Sequence, residues 1–121
     1  MDNLISEKLI ALGNNKFRNK FHLTGLEYKI VKEKQIEKIK KDAVDIICQR
    51  LAPAFPKNDG KQTPLKGHPV FIAQHATATC CRTCLMKWHQ ISRGRELSNT
   101  EIIYVVMIII KWIIEKTDQN L

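Results

Sequence analysis

Ser98-Asn99-Thr100-Glu101-Ile102-Ile103-Tyr104-Val105-Val106-Met107-Ile108-Ile109-Ile110-Lys111-Trp112-Ile113-Ile114 decides the fold class. Ser98 and Glu101 stand three apart, the spacing of a capping box: each side chain can satisfy the other residue's backbone N–H. Leu97 and Ile102 are placed for the hydrophobic staple around it. The β-branched run alone would also suit a buried strand, but the cap and the length favour a helix. A helix apolar nearly all round is buried or lies in a membrane. Lys111 interrupts this one, and the apolar span is shorter than the roughly 20 residues a bilayer needs. The expectation is a core helix and no membrane association.

Upstream, Ile36, Ile39, Ala43, Ile46, Ile47 and Leu51 recur at helical spacing, predicting a second long helix from about Glu33 to Leu51. Glu37 and Lys41 form a favourable i,i+4 pair on it, and Lys38, Lys40 and Lys41 give it a basic outer face. Cys48 is expected there as a small buried apolar residue. A shorter helix over residues 4–12 would bury Leu4, Ile5, Leu9 and Leu12, ended by Gly13-Asn14-Asn15. The following segment interleaves Phe17 and Phe21 with Arg18, Lys20 and His22. It reads as packed aromatics with solvated cations rather than as a nucleic-acid arm. Pro53 and Pro56 stop the second helix, and a turn-rich basic loop, residues 56–67, follows.

The result is a mostly α, small single-domain helical fold with a metal-bound Cys/His segment and a long Pro/Gly loop. Its expected divisions are an N-terminal extension over 1–20, a globular domain over 21–117 and a tail over 118–121. The length, 121 residues, fits one domain. No secretory signal opens the sequence, so a reducing, cytoplasmic setting is expected, where clustered cysteines favour metal over disulfides.

The chemistry-bearing segment is 68–89, which holds three of the four His and three of the four Cys. Cys81 and Cys84 form a Cys-x-x-Cys pair, a spacing that lets two thiolates grip one ion. The expected Zn2+ ligands are His75, Cys81, Cys84 and His89, with Cys80 and His68 as alternates. Several catalytic patterns are incomplete. A zinc deaminase needs His-x-Glu and Pro-Cys-x-x-Cys, but His75-Ala76-Thr77 and Thr79-Cys80-Cys81 break both. His-Glu-x-x-His is absent, and the loop lacks the ending of a phosphate-binding P-loop.

The formal net charge is +8, with a pI near 9.5, which favours polyanionic partners. Lys57, Lys61, Lys66, Arg82, Lys87, Arg93 and Arg95 are the expected phosphate contacts. The leading expectation is a basic zinc-binding protein acting on nucleic acid or a nucleic-acid-handling complex. Two alternatives stand beside it. One is a metal-dependent hydrolase, nuclease-like, that closes Asn58, Asp59 and Gly60 over the Cys/His site. The other is a protein-binding modulator whose zinc is purely structural. Binding is favoured over catalysis.

Leu51-Ala52-Pro53, residues 56–64, the block from Gly67 to Arg82, Cys84-Leu85 and Lys87-Trp88-His89 resemble a bacterial and phage-borne family, domain of unknown function DUF 4186. The resemblance covers about Phe21 to Ile114. It implies that the Asn58-Asp59-Gly60-Lys61 loop and the His/Cys block form one unit in a phage or mobile-element setting. It implies no activity.

Overall fold

The computed structural model describes residues 1–117; the expected tail over 118–121 lies outside them. Among the described residues six helices follow one another: α1 (Asp2–Gly13), α2 (Lys16–Asn19), α3 (Gly25–Arg50), α4 (Pro69–Ala76), α5 (Arg82–His89) and α6 (Asn99–Thr117). Among the described residues there is no strand. The mostly helical class is as expected.

α6 is the central element, packed against α1, α3 and α4. Val105, Ile108, Ile109 and Ile113 are fully buried, and full burial of such side chains is worth about 1.5–3 kcal/mol each. The capping box forms as read: the Glu101 N–H donates to Ser98 Oγ at 3.1 Å and the Ser98 N–H to Glu101 Oε1 at 2.8 Å. Arg95 adds a two-pronged ion pair to the same carboxylate at 2.6 and 2.7 Å, which holds it down to a pKa of about 2. Lys111, the one break in the apolar run, donates to Ser6 Oγ on α1 at 2.6 Å.

α3 begins earlier than its periodicity suggests. Thr24 and Glu27 make a second capping box, and Glu27 Oε2 also accepts from the Gly67 N–H at 3.1 Å. This ties the start of α3 to the far end of the long loop. Gly67 has φ +105, a conformation open to glycine and costly for other residues. Gln35 interrupts α3 with φ 66 and ψ 160, so its helical ladder is really two. The expected helix over 33–51 corresponds to the second part, whose buried face is Ile39, Ala43 and Ile47. Cys48 is a correction: it is exposed. One step past Ile47 turns it about 100° around the axis, into a surface groove with Val44, Ile103 and Met107.

The segment 1–20 is no appendage. Ile5, Leu9 and Leu12 are buried in the main core, as the periodicity of 4–12 predicts. Leu4 is the exception and stays exposed. Phe21 packs as expected, whereas Phe17 is half exposed with Lys20 Nζ 4.3 Å from its ring centre.

The loop after α3 is held by Arg82, which is fully buried. Its Nη1 donates to the carbonyls of Leu51 (3.3 Å) and Pro53 (2.8 Å), and its Nη2 to those of Ser92 (2.7 Å) and Arg95 (2.8 Å). Two connections distant in sequence thereby share one side chain.

Arg82→Met should orphan these carbonyls and cost about 3 kcal/mol, read as a lowered urea midpoint. The Glu101 carboxylate stabilises the fold fully above its ordinary pKa, and that contribution is lost as pH falls from about 4.5 towards 2. The melting-temperature advantage of the native chain over Glu101→Gln should shrink across that window.

Candidate metal centre

The turn between α4 and α5 builds the site. α4 starts at His68, whose Nδ1 accepts from the Val70 N–H at 3.1 Å, followed by Pro69. Pro at the first helical position loses no hydrogen bond there. α4 ends in a Schellman turn: the Thr79 N–H donates to the Gln74 carbonyl at 2.8 Å, and Ala78 is left-handed with φ 58. Gln74 Nε2 donates back to the Thr79 carbonyl at 3.0 Å. This reversal delivers Cys80 and Cys81 to the start of α5, where Cys81 is the N-cap and Cys84 lies one turn in.

The three sulfurs converge. Cys84 Sγ is 3.3 Å from Cys81 Sγ and 3.6 Å from Cys80 Sγ, and all three lie within 4.8 Å of one another. Sulfurs sharing one Zn2+ at about 2.3 Å stand roughly 3.8 Å apart in a tetrahedron. The donor spacing therefore fits a single thiophilic ion.

Arg18 faces the triad. Asn15 caps the short α2 by accepting from the Arg18 N–H at 3.0 Å, and the side chain turns inward until it is 8% exposed. Its Nη2 donates to Cys84 Sγ at 3.1 Å, and its Nη1 lies 2.8 Å from the His75 carbonyl and 3.7 Å from Cys80 Sγ. A buried guanidinium needs hydrogen-bond acceptors or a negative counterpart. Donation from Cys80 and Cys81, helped by Arg18, pulls the Cys84 thiol far below its ordinary range. The Cys80 thiol is pushed up by the same sulfur neighbours and by burial, as expected when one thiolate is shared among three sulfurs. A divalent ion with three thiolates carries one net negative charge, which the Arg18 guanidinium would balance.

The histidines have other work. His75 Nε2 donates to the Thr63 and Pro64 carbonyls, each at 3.1 Å, and its ring stacks on Phe21 at 5.2 Å. His89 Nε2 donates to the Thr77 carbonyl at 2.8 Å, while its Nδ1 lies 2.6 Å from the Tyr104 hydroxyl and accepts from it. His68 Nε2 pairs with Asp42 at 2.9 Å. Of the expected ligand set, Cys81 and Cys84 come together with the alternate Cys80; His75 and His89 are not in the cluster. The reason for His89 is helical rise. It closes α5 about 12 Å along the axis from Cys81, beyond the reach of one ion.

The long loop meets this centre. Thr63 Oγ1 donates to the Cys80 carbonyl at 2.8 Å, and Asp59 Oδ1 accepts from the Arg82 N–H at 3.2 Å. Arg82 itself leaves the list of expected phosphate contacts, because its four Nη bonds go to backbone carbonyls. Arg95 is committed to Glu101, and Arg93 lies 3.8 Å from Asp59. Lys57, Lys61, Lys66 and Lys87 are exposed. No sequence pattern marked Arg18; the only local signal was Asn15 as a cap for the turn that carries it.

Burial lowers the His89 pKa to about 4. Its neutral form is the folded one, so this contribution to stability is complete above about 6.5 and lost as pH falls towards 4. Ring NMR signals should titrate near pH 4, and a metal chelator should leave them unmoved; a shift on chelation would make His89 a ligand.

No helix among the described residues is long and apolar enough to cross a membrane. No solved structure matches the chain. A family described as a domain of unknown function, DUF4186, matches residues 6–114, which include α1 from Ser6 onward and Arg18 as well as the cysteines. The chain belongs to the DUF4186 family.

Proposed function

We propose that this chain is a zinc-binding protein. Cys80, Cys81 and Cys84 hold the ion, and the surface it braces binds nucleic acid. The observation that carries the metal reading is the convergence of three sulfurs beside a buried arginine. Thiolate donors select soft or borderline ions, and Zn2+ is the common intracellular choice. Three protein ligands are one fewer than a closed structural site uses. The ion's role here follows from what surrounds it. α2 arrives through Arg18, the long loop through Thr63 and α5 through Cys81, so one ion braces three segments.

The nucleic-acid reading rests on charge and placement. Lys57 and Lys61 border a groove with Arg50, Asn58 and Gln62, on the loop anchored to the cysteine turn. Exposed cations without carboxylate partners are the groups that displace counterions from a phosphate backbone. The hydrolase alternative has less support, because the ring nitrogens of His68, His75 and His89 named above are engaged within the protein.

Metal analysis of the native protein by mass spectrometry should give one zinc per chain. Cys80→Ser, Cys81→Ser and Cys84→Ser should each reduce it, whereas His89→Gln should not. Full zinc occupancy in all three cysteine variants would remove the assignment. Nucleic-acid affinity measured by fluorescence anisotropy should fall with salt at a log–log slope of about −3, for three to four phosphate contacts. Lys57→Glu with Lys61→Glu should weaken binding about tenfold at low salt. Absence of binding to DNA and RNA at low salt would leave a protein partner as the occupant of the surface.

A further inference from the structure

Among the described residues Phe55 is the most exposed large apolar side chain, at 84%. It does not sit on a loose segment. Arg82 grips the carbonyls of Leu51 and Pro53, the Leu97 N–H donates to the Ala52 carbonyl at 2.9 Å, and Pro56 beside it is buried. The fold therefore invests a buried arginine in holding an aromatic ring out in water. Beside the ring is a small pocket lined by Ala54, Phe55, Asp59, Arg82, Arg93 and Gly94. Arg82 Nε, buried in its wall, has no hydrogen-bond partner. The groove containing Lys57 and Lys61 borders the same Asn58–Asp59 turn.

From this arrangement we infer that the Phe55 pocket is a base-binding site for single-stranded nucleic acid: an unpaired base stacks on Phe55 opposite Arg93, and its flanking phosphates run along Lys57 and Lys61. The inference rests on the nucleic-acid reading above and gives it a strand preference. Asp59 gives the pocket an acceptor for a base edge: its Oδ1 already takes the Arg82 N–H at 3.2 Å and Gln62 Nε2 at 2.9 Å, and its Oδ2, 3.8 Å from Arg93, remains to accept from the N–H groups of a base. Aromatic stacking of unpaired bases is tolerant of sequence, and a paired base inside a duplex cannot make it.

Fluorescence anisotropy should compare a single-stranded oligonucleotide with a duplex of the same length and sequence, each as DNA and as RNA. The native chain should prefer the single strand. Phe55→Ala, at an exposed position that leaves the core intact, should weaken single-strand binding about five- to a hundredfold and leave duplex binding unchanged. Phe55→Trp should retain or exceed the native affinity. The double substitution Lys57→Glu and Lys61→Glu should weaken both forms. If Phe55→Ala changes nothing while the lysine variant weakens binding, the base pocket is refuted and the nucleic-acid reading stands. If neither form binds at low salt, both fall. The DNA and RNA arms identify which polymer carries the base.

Discussion

A single guanidinium holds the irregular part of this protein in shape. Arg82 lies at the first position of α5 with its Nη groups on the carbonyls of Leu51, Pro53, Ser92 and Arg95. Buried carbonyls without partners are costly, and these belong to connections that no helix or sheet ladder can serve. Four donors on one rigid plane satisfy them together. Burial draws the Arg82 pKa down and the nearby Asp59 charge opposes this, so the cation stays charged inside the protein. The cysteine turn, the long loop and the entry to α6 inherit their positions from that cage.

Arg18 and Arg82 are both buried cations, and they are neutralised in different ways. Arg82 is surrounded by carbonyl dipoles, whereas Arg18 leans on sulfur. The first arrangement suits a purely architectural role. The second makes the charge state of the cysteine cluster part of the fold, since Arg18 comes from the N-terminal helices and Cys84 from the far side of the sequence. Separating the thiolate charge from the guanidinium would leave a cation in an apolar surrounding.

What the sequence made legible was local. The Ser98–Glu101 capping box, the apolar run of α6 and the Ile39–Ala43–Ile47 stripe depend on residues a few positions apart, and they appear as read. The Cys-x-x-Cys pair was legible for the same reason. The histidines were not, because a histidine near a cysteine in sequence can face away from it on a helix. His89 is carried to the far end of α5 and His75 to the carbonyls of Thr63 and Pro64. Arg18 and Arg82 looked like surface cations. Their burial depends on partners 10 to 66 residues away, which periodicity does not record. Thr24-x-x-Glu27 was a readable signal of the start of α3; the break at Gln35 hid the continuity of that helix behind a change of register.

That break carries a mechanical consequence. Gln35 holds a backbone conformation ordinarily left to glycine, so the turns on either side share no continuous hydrogen-bond ladder. The second half of α3 is fixed in the core through Ile39, Ala43 and Ile47. The first half carries Glu27, which grips the backbone of Gly67. Rotation about Gln35 would therefore act as a lever on the far end of the long loop, opposed by Ile30 and Val31, which pack against the core, and by the Lys34–Asp42–His68 chain that spans the break, at 2.5 and 2.9 Å.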